Sequence, residues 1–461
     1  MFTLNEITRI TRGCLKQGNG LRKIKRLVID SRRVKKGDLF IAVKGERFNG
    51  HDFIRQAAQK GALAVLGAYS PKRLSKDLGI IQVADTVSAL GYLARAHRQR
   101  FSLRVVAVTG SAGKTTTKEL IAAIIRDRYK VLKNLGTENN HIGVPLTLLK
   151  LRPGHQTLVL EMGTNRPGDI PWLASLIQPT VAVLTNIGSA HLEQLKTPSG
   201  VFREKAAVLK DLGPSGTVIF NKDDPYLRKL SRGSLGCSQK TFAIDQAADY
   251  RATDIKFDSH HVYFTINGQT PVKLSGPVRH NVYNALAAFA CGRLFGIDPA
   301  TLADRLGRYR SLRGRLRFHV LGGRTVIDDT YNANPLSFAG ALTALGQAAC
   351  SGRRVLVCAD MLELGTQSDR LHADCGRLAG RARLDLIVAY GPKARQIVSG
   401  AQRMNARISA YHFKDLDKLN NFLKHTIREG DALLIKGSRA MHMERTLDFL
   451  NAVWGHNNKG S

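Results

Sequence analysis

The apolar, β-branched run Val105-Val106-Ala107-Val108 feeds a glycine-containing turn, Thr109-Gly110-Ser111-Ala112-Gly113. Lys114-Thr115-Thr116 follow, then a helix-forming stretch from Thr117 to Arg126. A strand that passes into a helix through so short a turn commits this part of the chain to an α/β arrangement. The turn aims backbone N–H groups and a helix N-terminus at one point, which suits a polyphosphate. Lys114 adds a mobile positive charge, and Thr115 a hydroxyl for a phosphate-bound Mg²⁺. A standard P-loop has a glycine six residues before its lysine, and this chain has Val108 there. The loop is therefore the shorter form Thr-Gly-x-x-Gly-Lys-Thr. The bland reading is a strand-to-helix turn with a surface lysine, but Lys followed by two Thr serves no folding purpose.

At 461 residues the chain is too long for one core, and two to four domains are expected. A hydrophobic share of 43% excludes a disordered or fibrous chain. No apolar run reaches the roughly 18–20 residues of a membrane span, so no membrane insertion is expected. Asn5, Glu6, Arg9 and Arg12 interrupt any leader-like start, and a cytoplasmic location is expected. The six cysteines are scattered without a C-x-x-C pair and read as reduced, mostly buried, structural thiols. Seventy Lys and Arg against 36 Asp and Glu leave a net charge of +34, which attracts polyanions. Those charges are spread along the chain rather than forming a tract, so a general basic bias is expected and no specific nucleic-acid partner.

Three domains are expected: 1–83, 84–312 and 313–461. In the first, 27–30, 38–43 and 62–66 read as strands and 53–60 as a helix. A helix over 86–100, with Leu90, Leu93, Ala94 and His97 on one face, leads to the phosphate loop. The second alternates helices with strands at 104–108, 157–160, 181–185 and 217–220. Residues 251–275 read as a β-hairpin insertion turning at Asn267-Gly268. The third shows doubly wound patterning, with strands at 325–328, 354–358, 385–388 and 432–435 separated by helices.

Ligands in open α/β sheets bind beyond the carboxyl ends of strands. Glu161 and Asn186 stand at such ends, and His191 follows Asn186 within its loop. Glu161 and His191 could share a Mg²⁺ shell with phosphate oxygens. On spacing alone each is more ordinarily a solvated loop residue or helix cap. Lys205, in a helical stretch with its apolar residues on one side, reads by itself as a surface lysine. The string Asp328-Asp329-Thr330-Tyr331-Asn332-Ala333-Asn334-Pro335 is too polar for core and too crowded for a simple turn. It offers carboxylates for hydroxyls or metal-bound water, and amides for a base or carbonyl.

Taken together, these strings resemble the Mur ligases, relatives of the folylpolyglutamate synthetases, over nearly the whole chain. The first domain contributes Asp30-Ser31-Arg32, Gly37-Asp38-Leu39-Phe40 and the stretch from Lys44 to Phe53. The second contributes the phosphate loop, Asn139-Asn140-His141-Ile142-Gly143-Val144-Pro145, Glu161-Met162-Gly163 and Ser189-Ala190-His191-Leu192-Glu193. His280-Asn281-Val282-Tyr283-Asn284-Ala285-Leu286 and Gly314-Arg315-Leu316 follow. The third has Asp329 to Pro335, Asp360-Met361-Leu362-Glu363-Leu364-Gly365 with His372, and Lys436-Gly437-Ser438-Arg439. The Tyr-Asn-Ala-Asn-Pro string resembles the members that add D-alanyl-D-alanine; other Mur ligases carry an Ala-His-Asn-Pro or Ala-His-Thr-Pro version. Asn49 stands where that loop commonly has Asp, Thr137 where Asn is usual, and Ala207 where Glu often follows the lysine by two.

The resemblance implies a small uridine-nucleotide domain, a central, mostly parallel ATPase domain and a C-terminal Rossmann-like domain. It implies an ATP- and Mg²⁺-dependent ligase of peptidoglycan precursor synthesis that joins D-alanyl-D-alanine to UDP-N-acetylmuramoyl-tripeptide through an acyl phosphate. Thr109 to Thr116 would bind the ATP phosphates, with Thr115, Glu161, His191 and a carbamoylated Lys205 on the metal. His280, Asn281 and Asn284 would hold adenine, and Arg315, Asp329 and Asn332 the remainder of the nucleotide. Ser31, Arg32, Asn49, His51, Asn139 and Asn140 would take the UDP-linked substrate. A monomer is expected. Two rivals remain: a sister ligase adding a diamino acid to the dipeptide precursor, and a polyanion-binding protein on an inactive ligase fold.

Overall fold

The computed structural model describes residues 1–45, 48–71, 74–136 and 138–455. Glu46 and Arg47 of the first-domain motif, and Thr137, lie outside the described residues. The chain forms two compact units, one of residues 1–105, 132–162 and 172–178, the other of 106–131, 163–171 and 179–461.

In the first unit, β1 (Cys14–Gln17), β2 (Leu27–Val28), β3 (Leu39–Ile41), β4 (Ala64–Gly67) and β5 (Gly79–Gln82) form a sheet ordered β1-β5-β4-β3-β2. All neighbours are parallel except β1 against β5. β3 and β4 are buried throughout, as parallel strands covered on both faces must be. Period-two alternation sends Leu39 and Ile41 into a core with Leu4, Ile7, Leu90 and Leu93, and Phe40 into another with Val34, Ile54 and Ala57. The helix Thr86–Arg98 starts on an Asp85 cap and buries Leu90, Leu93, Ala94 and His97, the face its spacing predicts. The helix Leu4–Thr11, closed by a Thr3/Glu6 capping box, and the short strands β1 and β5 were not evident from the sequence.

β6 (Arg104–Thr109) begins in the first unit and continues in the second, while β8 (Thr157–Glu161) and most of β7 (Val131–Lys133) belong to the first. The second unit continues with β9 (Val181–Leu184), β10 (Thr217–Asn221), β11 (Ser238–Ala243), β12 (Tyr250–Phe257), β13 (His261–Ile266) and β14 (Thr270–Ser275). β6, β9, β10 and β11 are parallel neighbours, and β12 joins β11 in parallel. Residues 251–275 are thus not a two-stranded hairpin but a three-stranded antiparallel meander that extends the sheet. The Asp258 carboxylate makes the extra turn by accepting the His260 and His261 N–H groups. Asn267 and Gly268 do form the other turn, with φ of 52° and 70°.

The same unit holds a second sheet of β15 (Arg317–Leu321), β16 (Arg324–Asp329), β17 (Arg354–Ala359), β18 (Leu386–Tyr390), β19 (Ser409–Phe413) and β20 (Ala432–Lys436). Its order is β15-β16-β20-β17-β18-β19, parallel except for β15 against β16. β20 separates the consecutive strands β16 and β17, so the carboxyl ends of these three flank a topological switch point, the usual ligand position in such a sheet. The whole is a three-domain α/β fold with mostly parallel sheets.

Candidate active site

The phosphate loop is held from β9. The amide of Asn186 clamps Ala112 in both directions, accepting its N–H at 2.8 Å and donating to its carbonyl at 3.2 Å. Ser111 N–H bonds the Asn186 carbonyl, and Thr185 Oγ1 donates to Ala112 O at 2.6 Å. Lys114 Nζ curls back onto Gly110 O at 2.8 Å. The helix Lys114–Ile125 starts there; Thr117 N–H closes its first turn on Gly113 O, so the preceding N–H groups point out of the helix N-terminus. Sequence reasoning placed Asn186 at a strand end but not in the loop's support.

Gly113 has φ of 78°, and a Cβ there would lie 2.4 Å from Asn284 Oδ1. That amide oxygen accepts from Thr117 Oγ1, while Asn284 Nδ2 donates to Asn281 Oδ1 at 3.1 Å. His280, from the same helix Arg279–Leu294, has its Nε2 shut from solvent with no hydrogen-bond partner among the described residues. Burial holds its pKa below the usual histidine value. Gly113→Ala should cost about 1–2 kcal/mol of stability from the left-handed backbone alone, read by denaturant unfolding, and should raise the KM for ATP by displacing Asn284.

The C-terminal sheet meets this loop within the same unit. Arg315 donates to Thr115 Oγ1 at 3.1 Å, and its guanidinium lies 3.9 Å from the Tyr331 ring centroid. Asn334 Nδ2 donates to Ser111 O at 3.2 Å, while its Oδ1 caps the helix Pro335–Gln347. Asp329 accepts from Leu316 N–H and from Lys436 Nζ, and the same ammonium donates to Asn332 O at 3.0 Å. The first part of the string is core contrary to expectation, since Asp328, Asp329 and Thr330 are buried, whereas Tyr331 and Asn334 are half-buried and Asn332 is exposed. Internal bonds make that possible: Asp328 accepts from Gly314 N–H at 2.7 Å and from Thr330 Oγ1 at 2.7 Å. Lys436 is an added member of the site, its role hidden in sequence by a partner on another strand.

His191 Nδ1 lies 2.6 Å from Glu363 Oε2. Burial lowers the His191 pKa, with Lys205 and Lys114 as cationic contributors; the His191 hydrogen bond draws that of Glu363 down. Either ring nitrogen of a neutral imidazole can carry the proton, and one on Nδ1 would be donated to this carboxylate. Lys205 is not a surface lysine: it is fully buried in the helix Pro198–Ala206. Its neighbour Glu204 is also buried and accepts the Gly168 and Ile170 N–H groups at 2.9 and 2.7 Å.

In the first unit, Glu161 is likewise buried rather than solvated. Asn134 clamps its backbone, accepting Glu161 N–H at 3.0 Å and donating to its carbonyl at 3.1 Å. Asn139 Nδ2 donates to its carboxylate at 2.7 Å, and Asn140 accepts Ile142 and Gly143 N–H at the head of a short helix. Ser31 donates to Gln56, and Arg32 pairs with Asp30 at the surface. Both His51 nitrogens are engaged, Nδ1 by Asn49 Oδ1 and Nε2 by the Ala68 N–H, and its ring stacks on Tyr69. His51 therefore shapes this loop from inside.

These residues fit a nucleoside triphosphate and a hard divalent cation. A side chain at Gly113 would collide with Asn284 Oδ1, His280 Nε2 beside it is a buried polar atom with no hydrogen-bond partner among the described residues, and the Thr115 hydroxyl and His191 imidazole of the same unit are donors such a cation accepts. The cysteines serve packing only in part: Cys291, Cys358 and Cys375 are buried, Cys237 and Cys350 partly so, and Cys14 exposed.

Three family models match in order: the Mur ligase family catalytic domain at residues 23–98, the Mur ligase middle domain at 108–292, and the Mur ligase glutamate ligase domain at 314–439. The UDP-N-acetylmuramoyl-tripeptide–D-alanyl-D-alanine ligase of Escherichia coli (strain K12) is 37% identical, covering 96% of this chain and 97% of its own. A crystal structure of MurF from Acinetobacter baumannii superposes with a TM-score of 0.88 at 33% identity, covering 98% and 99%. That of MurF ligase from Thermotoga maritima in complex with ADP gives 0.83 at 31% identity, covering 93% and 97%. With matches along its whole length, the chain belongs to the Mur ligase family.

Proposed function

We propose that the chain joins D-alanyl-D-alanine to UDP-N-acetylmuramoyl-tripeptide, using ATP and Mg²⁺, in peptidoglycan precursor synthesis. It is an ATP-dependent amide-forming ligase, and we place it in the cytoplasm as a monomer. Among the described residues no helix is long and apolar enough to cross a membrane. The observation that carries the reading is the bonding of the phosphate loop to the Tyr331–Pro335 segment through Asn334 and Ser111. That segment has the Tyr-Asn-Ala-Asn-Pro form, not the Ala-His form of the sister ligases.

The chemistry sets the requirements. A carboxylate does not acylate an amine in water unaided, so its oxygen attacks the γ-phosphorus of ATP and ADP leaves. The amine of D-alanyl-D-alanine then attacks the acyl phosphate carbonyl, loses a proton, and expels phosphate. The first step brings two anions together, so positive charge must be fixed beforehand. Residues Thr109 to Thr116 cradle the phosphates, with Lys114 supplying that charge and Arg315 a second cation next to Thr115. His280, Asn281 and Asn284 hold the adenine end, with Asp329 and Asn332 on the ribose side, where Lys436 orients Asp329. By resemblance to the family, Thr115, Glu161, His191 and Lys205 are the residues assigned to Mg²⁺, which when bound neutralises phosphate charge. Asn139 fixes the Glu161 carboxylate, while Ser31, Arg32, Asn49, His51 and Asn140 form or support the binding surface for the UDP-linked substrate.

The test is phosphate release from ATP with UDP-N-acetylmuramoyl-tripeptide. Release should rise sharply on adding D-alanyl-D-alanine and not on adding single amino acids. Stimulation by a diamino acid with the dipeptide precursor would transfer the assignment to a sister ligase. Salt-sensitive nucleic-acid binding without turnover would favour the inactive-fold reading.

A further inference from the structure

His191 and Glu363 come from loops 172 positions apart, and both adopt a left-handed backbone, with φ of 55° and 64°. Such a conformation is unfavourable for a residue with a side chain and persists only where surroundings enforce it. Here each supports the other. The side chains meet at 2.6 Å, and Glu193 N–H donates to Glu363 O at 3.1 Å, tying the backbones two residues beyond His191. Gly365, also at positive φ, sits so close to Glu193 that a Cβ there would lie 3.0 Å from its Cα. The loop after β17 is thus seated on the loop after β9, with the Glu363 carboxylate delivered to one nitrogen of the ring.

We propose that Glu363 is a positioning residue for the ligase reaction: its carboxylate holds the proton of His191 on Nδ1, leaving the Nε2 lone pair available to a divalent cation. This rests on the placement of His191 among the cation's ligands. An isolated neutral imidazole offers either nitrogen, and a ligand histidine performs only with its proton on the far one. A carboxylate accepting that proton fixes both tautomer and ring orientation, and such partners typically contribute 10–100-fold in metal affinity or activity. Glu363 is not itself a catalytic group. Its side chain is half-exposed, so replacing it removes little packing.

The experiment reads the tautomer directly in metal-free protein by ¹⁵N NMR of the histidine rings, with His191→Gln assigning the signal. Wild type should show His191 protonated on Nδ1. Glu363→Ala should move the proton to Nε2, whereas Glu363→Gln, whose amide oxygen still accepts, should retain Nδ1. The same variants are titrated with Mn²⁺ in the presence of a nonhydrolysable ATP analogue, following free Mn²⁺ by EPR. Glu363→Ala should bind at least about tenfold more weakly and Glu363→Gln should lie between. A wild-type proton on Nε2, or an unchanged tautomer in Glu363→Ala, overturns the proposal. A tautomer that shifts as expected while Mn²⁺ affinity holds would remove His191 from the ligand set. It would overturn the underlying placement, not the Glu363 contact.

Discussion

Lys114→Ala should reduce substrate-dependent ADP formation by roughly 10²-fold or more while leaving the protein folded. The ammonium lies on Gly110 O within the cradle, so it is poised at the head of the helix rather than extended into solvent. A charge-assisted hydrogen bond is worth about 1.5–3 kcal/mol, or roughly 10–100-fold in rate per contact, and a γ-phosphoryl group accepts more than one such bond as it transfers. Stability should change little, because the loop remains clamped by Asn186, Thr185 and Ser111. Lys114→Arg should not restore the rate, since a planar guanidinium cannot occupy the position of a compact ammonium. The check is ADP release alongside a thermal melt of each variant. Normal phosphate release from folded Lys114→Ala would remove the loop from the reaction.

What was legible in the sequence was mainly what is local. The strand, turn, lysine and helix of the phosphate loop are contiguous, and so is the turn at Asn267-Gly268; each formed as its chemistry predicts. β15 and β19 were missed because as edge strands they are half-exposed and lack a buried apolar run. The helix Arg395–Met404 was missed although its apolar face packs beside β18.

Burial of polar groups was the harder matter. Glu161 and Lys205 look like surface residues on spacing because nothing adjacent reveals what covers them. Asn134 and Asn139 hold the first from 27 and 22 residues away. Asp328 and Thr330 are core residues only because each finds its partner inside the turn and at Gly314. Glu363 lies within the Asp360–Gly365 motif, whose sequence gives it no role; the fold brings it to His191. Motif resemblance identified such positions; their partnerships required the folded chain.

Lys205→Ala should lower ligation by roughly 10²-fold, the scale at which single groups stabilising transition-state charge act, and short carboxylates such as formate should restore part of it. The reason is charge. Lys205 is fully buried, and its cationic form and that of Lys114 both act unfavourably on a protonated His191. A second buried cation there would oppose a metal, whereas carbamoylation by CO₂ converts the amine to an anion that attracts one. Glu204, the adjacent carboxylate, is engaged by the Gly168 and Ile170 N–H groups and so anchors a neighbouring helix instead. Lys205→Arg separates the explanations, because it keeps the positive charge, cannot be carbamoylated and leaves no cavity for a carboxylate. It should be as inactive as Lys205→Ala and should not respond to formate. Denaturant unfolding of both variants distinguishes loss of chemistry from loss of fold. Full activity of either without an added carboxylate would mean that the unmodified amine, or no group at all, suffices at this position.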